Sequence, residues 1–251
     1  MHIQISDVIS QFRFLNIDYF FHLVFMTSII LHHYLVFHYF EGMSRGVFIV
    51  FEGIDGCGKS TQFDFLSQSY CGLFGETVFI SFPFLFTPIG RLIDDILHKR
   101  VPTPSPPALH LLFTANRHSL NDYIKKMLLS GKNVICNRYV YSGMAYTCAQ
   151  ENFIYDLQWC ETCEQHLIKP DLVIYFNIDV INAVKRKNDQ DGLYDGKIDF
   201  LKRVSEVYKT FFTLPFWVNI DANRSKEEVS KEVIQVLNDF KKKEICSLSY
   251  F

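Results

Sequence analysis

The feature that most constrains the fold is a phosphate-binding loop between a short apolar run and an amphipathic run. Residues 53–60 read G-I-D-G-C-G-K-S, which fits the pattern G-x-x-x-x-G-K-[S/T] and predicts a strand before the loop and a helix after it. The small residues let the backbone wrap tightly, so that its N–H groups and the helix N-terminus point at phosphate oxygens. The loop therefore predicts a nucleoside triphosphate site in an α/β domain, but it does not identify the phosphate acceptor.

The side chains of this loop have separate predicted roles. Lys59 is expected to neutralise the β- and γ-phosphates of ATP, and Ser60 is expected to reach a Mg²⁺ ion. The remainder of the predicted ATP site consists of residues whose backbone or small side chains surround the phosphates: Gly53, Asp55, Gly56, Cys57, Gly58 and Thr61.

From residue 47 onward, short apolar runs alternate with longer amphipathic ones, which is typical of βα units around a parallel sheet. Five runs are short and apolar enough to be strands buried on both faces, at 47–51, 77–81, 133–136, 172–178 and 216–220. Helices are predicted over 60–74, 88–98, 107–130, 143–150, 155–167, 181–186, 197–212 and 226–242. We therefore expect a three-layer P-loop NTPase fold, with a five-stranded parallel sheet flanked by helices.

Composition limits the class of protein. With 251 residues, 49% of them hydrophobic, the chain can bury the core of one large domain with an extension. A net charge of −2 gives no basic field, so we expect no nucleic-acid partner. Seven cysteines favour a reducing compartment, taken as the cytoplasm, with a nuclear location left open. Cys160, Cys163 and His166 form a C-x-x-C-x-x-H run, but no fourth zinc ligand has recognisable spacing.

The first 42 residues differ in kind from the rest. Residues 19–40 contain no Asp, Glu, Lys or Arg and are long enough to cross a bilayer as a helix. Three interpretations stay open: an appended segment that is not in the mature protein, a membrane anchor, or a targeting segment. We therefore divide the chain into an apolar extension (1–42), a catalytic domain (43–243) and a C-terminal tail (244–251).

Five segments in order resemble the thymidylate kinase family, and the resemblance runs from about residue 46 to 240. They are FEGIDGCGKSTQ (51–62), LLFTANR (111–117), NRYVYSGMAYTCAQ (137–150), KPDLVIYFNID (169–179) and IDANRSKEEV (220–229). The resemblance implies the reaction ATP + dTMP → ADP + dTDP with Mg²⁺, in dTTP biosynthesis, by a homodimer. Two alternatives remain open: a catalytically weakened nucleotide-binding relative, or a kinase for another (deoxy)nucleoside monophosphate.

Three residues carry the acceptor prediction on physical grounds. Phe113 offers a flat face on which a base can stack, and Arg117 lies one helical turn later on the same side. Arg117 can donate hydrogen bonds to a carbonyl edge of the base, as a thymine presents. Arg138 follows an apolar strand at the sheet edge where ligands bind, so its guanidinium can hold the acceptor phosphate in line with the γ-phosphate.

The resemblance adds further acceptor residues. Asp55 is implied to lie near the acceptor sugar. Phe82 belongs to a segment that has the sequence Phe-Pro-x-Arg in the family, where its arginine contacts the acceptor phosphate. Ser142 and Gly143 are implied to lie beneath the deoxyribose and base. Tyr194 matches a family tyrosine that closes over the acceptor.

The match breaks at three positions. Asn137 stands where the family has an Asp that organises magnesium and phosphates, Leu85 replaces the Arg of Phe-Pro-x-Arg, and Leu193 replaces an often basic lid residue. The family takes its transition-state arginine either from the phosphate loop or from the lid. Because position 56 is Gly, we predict that Arg186, just before a Gly- and Asp-rich lid (188–196), supplies this charge.

Overall fold

A computed structural model describes residues 45–69, 75–151, 156–187, 193–194, 197–240 and 247–251. The apolar segment 19–40 and most of the predicted lid lie outside these ranges, so the interpretations placed on them stay predictions. Within these ranges, no helix combines the length and the apolar character that a membrane span requires.

The centre of the domain is a sheet of five parallel strands. They are β1 (Phe48–Glu52), β2 (Thr77–Ser81), β3 (Asn133–Asn137), β4 (Leu172–Asn177) and β5 (Trp217–Asp221). Their order in the sheet is β2-β3-β1-β4-β5, with every neighbouring pair parallel. β1 is buried along its whole length between β3 and β4. The sheet confirms the five strands and the fold class that the apolar runs predict.

Eight helices cover the sheet in the described part of the chain. They are α1 (Lys59–Ser69), α2 (Pro88–Leu97), α3 (Pro106–Leu129), α4 (Val140–Cys148), α5 (Leu157–Cys163), α6 (Val180–Arg186), α7 (Ile198–Lys209) and α8 (Lys226–Phe240). Each corresponds to a predicted helix, with ends that differ by no more than five residues.

Two of these differences have clear physical causes. α4 begins before the predicted residue 143 because a carboxylate oxygen of Glu52 accepts hydrogen bonds from the N–H groups of Tyr139 and Ser142, at 2.9 and 3.1 Å. α5 ends before the predicted residue 167, because His166 has a φ of 70°. The N–H of His166 donates to the carbonyl of Phe251 (3.3 Å), so the chain leaves the helix to meet the C-terminal residues.

The C-terminal residues 247–251 lie against the domain. Ile168 and Tyr250 form an isolated antiparallel bridge. The guanidinium of Arg45, which is paired with Asp171, also donates to the carbonyl of Ser247 at 2.8 Å. Residues 247–251 of the predicted tail therefore pack against Arg45, where the described domain begins, and against Ile168.

The strand register brings the site residues together. Phe51 in β1 and Ser81 in β2 are both opposite Asn137 in β3. The segments that follow these strands are the phosphate loop, the Phe82-Pro83 segment and Arg138, so all three start at one edge of the sheet. This is the edge at which parallel α/β sheets bind ligands.

Candidate active site

The phosphate loop is a tight turn whose backbone conformation favours glycine at several positions, among them Gly56 and Gly58. Gly56 and Gly58 have φ values of 80° and 94°, which L side chains rarely adopt. A Cβ at Gly56 would lie 2.1 Å from the carbonyl oxygen of Ala183, so α6 packs directly on the loop. Lys59 is buried, and its ammonium donates to the carbonyl of Ile54 at 3.1 Å. The loop has the shape and the cation that the phosphate prediction requires.

Arg138 lies between the phosphate loop and α4. Its guanidinium pairs with Asp55 at 2.5 Å, and it donates to Ser142 Oγ (3.1 Å) and to the carbonyl of Gly53 (3.3 Å). It also lies over the ring of Tyr146, 5.3 Å from the centroid, while the Tyr146 hydroxyl donates to Asp55 at 3.0 Å. The structure therefore brings together Asp55, Arg138 and Ser142 and adds Tyr146, which the sequence interpretation did not select.

Charge pairing sets the ionisation of this cluster. Burial opposes ionisation of Asp55, but the positive charges of Arg138 and Lys59 outweigh it and hold the pKa of Asp55 well below its ordinary value. Burial also opposes the ionisation of Lys59 and lowers its pKa, and the nearby Arg138 charge acts in the same direction. The pKa of Arg138 is raised well above its ordinary value because Asp55 outweighs the effect of burial. The cations of Arg138 and Lys59 thus lie beside the carboxylate of Asp55, with the carboxylate of Glu52 close enough to act on both.

Glu52, at the end of β1, is a positioning residue that the sequence interpretation missed. Its buried carboxylate accepts hydrogen bonds from the Ser142 hydroxyl (2.5 Å) and from Tyr208 Oη (2.9 Å), besides the two backbone groups at the start of α4. It thereby fixes Ser142 beside Arg138. The signal in the sequence is a lone carboxylate directly after four apolar strand residues, since a buried charge requires partners.

Ser60 and Asn137 lie side by side at the start of α1 and the end of β3. The amide nitrogen of Asn137 donates to Ser60 Oγ at 3.2 Å. The buried amide oxygen of Asn137 has no hydrogen-bond partner among the described residues. A hydroxyl and an orphaned amide oxygen are suited to a hydrated hard cation, because both are neutral oxygen donors.

A cavity of about 260 Å³ opens beside Arg138. It is largely apolar, and the predicted acceptor residues line it: Asp55, Phe82, Phe113, Arg117, Arg138, Ser142, Gly143 and Tyr194. The structure thus collects every predicted acceptor residue around one space of a size suited to a small ligand. Tyr139, Tyr146 and Lys197 also line it, and the buried Tyr139 hydroxyl has no partner among the described residues.

Aromatic packing places Tyr194 at the cavity. Its ring stacks on Phe200 with centroids 4.9 Å apart and meets Tyr146 edge-on at 5.4 Å. Burial raises the pKa of Tyr194 to about 12, so its hydroxyl is a neutral donor at physiological pH. Leu193 also lines the cavity, and its N–H donates to the carbonyl of Leu97 at 3.0 Å.

Two buried residues on α3 have partners that the sequence interpretation did not identify, and one of them, Arg117, lines the cavity. Arg117 is buried and pairs with the carboxylate of Glu164. Asn116, also buried, holds the segment after Phe82, because its amide bonds both the N–H and the carbonyl of Phe84, at 2.7 and 3.0 Å. Side-chain amides that bond a backbone in this way act as positioning groups, and a sequence pattern gives no direct sign of them.

Arg186 points at the loop after β5. Its guanidinium donates to the carbonyls of Ala222 (2.7 Å), Asn223 (3.2 Å) and Arg224 (3.3 Å). This loop lies within the segment IDANRSKEEV (220–229), whose resemblance to the thymidylate kinase family implies a place beside the adenine. The three contacts attach the end of α6 to this loop, and the roles of Arg186 at ATP and in the transition state both stay predictions.

The cysteine-rich run does not form a metal centre in the described part of the chain. No group of three or more His, Cys, Asp or Glu side chains within those ranges could hold a metal ion. Cys160 instead lies 3.7 Å from Cys148, sulfur to sulfur, where α5 packs on α4. These cysteines belong to the packing of the two helices.

Comparison with known proteins identifies close likenesses. The family model described as thymidylate kinase matches residues 51–233. A thymidylate kinase of Dictyostelium discoideum is 36% identical over 82% of this chain and 92% of its own length. One of Plasmodium falciparum is 38% identical over 80% and 94%, and the human enzyme is 34% identical over 78% and 91%. A solved structure of thymidylate kinase from Candida albicans aligns with a TM-score of 0.73 at 30% identity, covering 82% of this chain and 98% of that one.

Proposed function

The chain belongs to the thymidylate kinase family, and from this premise we propose that its loop and its cavity hold ATP and dTMP end to end. The reaction is the transfer of the γ-phosphate of ATP to dTMP, which gives ADP and dTDP. One observation carries the arrangement: the Arg138 guanidinium contacts the Gly53 carbonyl of the phosphate loop and also lines the acceptor cavity. A single cation at that junction is suited to an acceptor phosphate that lies next to a γ-phosphate.

The acceptor is proposed to bind by its two ends. The base lies on the ring of Phe113 and receives hydrogen bonds from Arg117, which lines the same cavity. The phosphate lies at Arg138, and dTMP displaces some of the contact between this guanidinium and Asp55. Ser142 and Gly143 form the floor, and Tyr194 covers the ligand from the side of the lid.

The donor is proposed to bind along the phosphate loop. The N–H groups of residues 53–61 and the ammonium of Lys59 surround the β- and γ-phosphates. The adenine lies by the loop at residues 222–224, which Arg186 holds through its three carbonyl contacts. This places the γ-phosphate at the start of α1, on the side of the loop that faces Arg138.

Mg²⁺ is the metal that we propose for this site. Ser60 Oγ would ligate it directly, and the amide oxygen of Asn137, which has no partner among the described residues, would orient a water ligand. When bound, the ion neutralises charge that develops on the transferred group. Lys59 and Arg138 supply further positive charge at the same place, which is the main requirement of phosphoryl transfer.

The alternative of a relative that only binds nucleotides is not favoured. Lys59, Arg138 and the acceptor cavity are all in place, and the chain matches the thymidylate kinases over most of their length. Leu85 is the departure that bears most on rate, because an apolar side chain cannot bind an anion. We propose a working enzyme whose acceptor phosphate is held by one arginine fewer than the family pattern supplies.

A homodimer is proposed as the assembly. Leu111 and Leu129 on α3 are both exposed, and they lie about five helical turns apart on one face of the helix. Leu92 on the adjoining α2 is also exposed. Sedimentation equilibrium of the full chain should give the mass of two chains, and Leu111→Glu should give the mass of one. A single-chain mass for the unmodified protein at micromolar concentration would contradict the proposal.

The proposed function is tested by ADP release from the full chain with ATP, Mg²⁺ and a panel of monophosphates: dTMP, dUMP, dCMP, dAMP and AMP. We expect the highest kcat/KM for dTMP, followed by dUMP, since one methyl group in an apolar pocket changes the ratio by only about 10- to 200-fold. Tight ATP binding without turnover on any acceptor would overturn the proposed kinase activity and favour a protein that only binds nucleotides.

A further inference from the structure

We propose that Glu164 is a positioning residue that sets base specificity by locking the guanidinium of Arg117 in one orientation. Glu164 caps α5, and its carboxylate is fully buried. It is far from the phosphate loop in sequence and belongs to no motif of the site. The inference rests on the proposed contact between Arg117 and the base, and it adds the residue that makes this contact directional.

The pairing uses one whole side of the guanidinium. Arg117 Nε donates to Glu164 Oε2 at 2.8 Å, and Nη2 donates to Oε1. This two-point pairing fixes the plane of the group, as bidentate arginine–carboxylate pairs do. Nη2 also donates to Thr114 Oγ1 at 3.2 Å. Only Nη1 then forms no hydrogen bond within the described residues, and Arg117 lines the cavity.

Gly143 confines the guanidinium on its other side. A Cβ at this position would lie 2.8 Å from Nη2 and 3.0 Å from Nη1 of Arg117. The guanidinium is therefore packed against the backbone of α4 while the carboxylate holds it from α5. It cannot rotate without breaking both bonds to Glu164 or entering the helix.

The carboxylate is itself held by α3. The Thr114 hydroxyl donates to Glu164 Oε1 at 2.8 Å, and His110 Nε2 lies 3.4 Å from the same oxygen. The other ring nitrogen of His110 bonds Thr147 Oγ1 of α4 at 2.9 Å. Burial lowers the pKa of His110, so the histidine is neutral at physiological pH and Glu164 remains paired with one cation. The groups that contact the carboxylate thus all come from α3, and His110 links them to α4.

A fixed guanidinium discriminates between bases because it has donors and no acceptor. Thymine and uracil present a carbonyl at the edge where cytosine presents an amino group. An amino group opposite Nη1 would leave two donors facing each other in a dry cavity, which is a costly arrangement. If the guanidinium could turn away, this penalty and the bond to the carbonyl would both be lost.

The experiment compares dissociation constants for dTMP and dCMP, measured by calorimetry on the full chain, and adds kcat and KM with dTMP. Glu164→Gln keeps the shape of the side chain but places an amide N–H₂ against the arginine donors. We expect the dTMP/dCMP affinity ratio to fall at least about tenfold, with the KM for ATP unchanged and kcat reduced less than affinity. Glu161→Gln, on the exposed side of α5, is the matched control and should leave the ratio unchanged.

A double-mutant cycle with Arg117→Met shows whether Glu164 affects base specificity through Arg117 or by another route. If Glu164 acts through Arg117, Glu164→Gln should not lower the ratio further in the Arg117→Met background. A folded Glu164→Gln protein with the wild-type ratio would overturn the positioning inference while the base contact of Arg117 stands. An unchanged ratio in Arg117→Met would overturn the base contact and the inference together. If thermal melting shows Glu164→Gln to be unfolded, Glu164→Asp, which retracts the charge by one methylene, decides by the same ratio.

Discussion

The carbonyl oxygen of Ala183 in α6 lies 2.1 Å from the position that a Cβ at Gly56 would occupy. The phosphate loop and α6 are therefore in backbone contact at the position where the resemblance implies a loop arginine in only some members of the family. A side chain at position 56 would require α6 to move, and Arg186 at the end of that helix would move with it. In this chain, therefore, the phosphate loop does not supply an arginine to the transition state.

Replacing Gly56 by Ala should destabilise the protein more than the same change at Gly58. Both positions have positive φ, but a Cβ at Gly58 meets nothing within 4 Å. We expect Gly58→Ala to lower the free energy of unfolding by about 1 kcal/mol through backbone strain alone. Gly56→Ala should lower it by more than about 3 kcal/mol, because strain and overpacking add. Urea denaturation of the two variants checks this, and equal losses would show that the contact with Ala183 carries no energy.

Asn137→Asp should raise turnover with dTMP and lower the Mg²⁺ concentration needed for half-maximal rate. The change places a carboxylate beside Ser60, where the amide of Asn137 now contributes only a neutral oxygen. Steady-state rates over a Mg²⁺ titration measure both effects. A fall in kcat, or an unchanged Mg²⁺ requirement, would show that this amide is not near the metal in the working complex.

Leu85→Arg should lower the KM for dTMP by about tenfold, because it adds a charge-assisted hydrogen bond to the acceptor phosphate. Leu85 is 42% exposed, so an arginine can replace it without displacing core side chains. Phe86→Arg is the control, since Phe86 is 84% exposed and the substitution adds the same charge one residue later. Equal effects of the two changes on KM would indicate general charge attraction rather than a contact with the phosphate.

The pairing of Asp55 should appear as acid sensitivity of the fold. The charges of Arg138 and Lys59 outweigh burial and depress the pKa of Asp55, so its ionised form stabilises the native state above the pKa of the unfolded chain. This contribution is lost as the pH falls from about 4 toward the lower native pKa. The free energy of unfolding should therefore fall more steeply below about pH 4 in the wild type than in Asp55→Asn. Parallel plots of unfolding free energy against pH for the wild type and Asp55→Asn would contradict this prediction. Asp64→Asn, at an exposed position of α1, is the matched control substitution.

The fold was largely predictable because its signals are local. Five apolar runs and one glycine-rich loop specify buried strands and the turn between β1 and α1, and the structure confirms all five strands. The helix ends were less predictable, since α4 starts at a carboxylate 88 positions earlier in the chain than its first residue, Val140. α5 stops where the C-terminal residues pair with residues 166–169. Such long-range contacts leave no periodic pattern.

The site was predictable where a motif or resemblance marks it. Phe113, Arg117 and Arg138 all line one cavity, as their positions after strands and along one helix face predict. Glu52 and Glu164 were missed because each is a single buried carboxylate whose partners are remote in sequence. Glu52 is at least marked by the four apolar strand residues before it, whereas only burial, which the sequence does not state, distinguishes Glu164 from the exposed glutamates of the chain.

The most direct test of the end-to-end arrangement is the affinity of Arg138→Ala for each ligand. Equilibrium titrations of the full chain with dTMP and with a non-hydrolysable ATP analogue give the two dissociation constants separately. Loss of a charge-assisted pair with the acceptor phosphate should weaken dTMP binding at least about tenfold, while affinity for the ATP analogue stays within about twofold. Unchanged dTMP affinity, or an equal loss of both ligands in a protein that melts like the wild type, would contradict the arrangement.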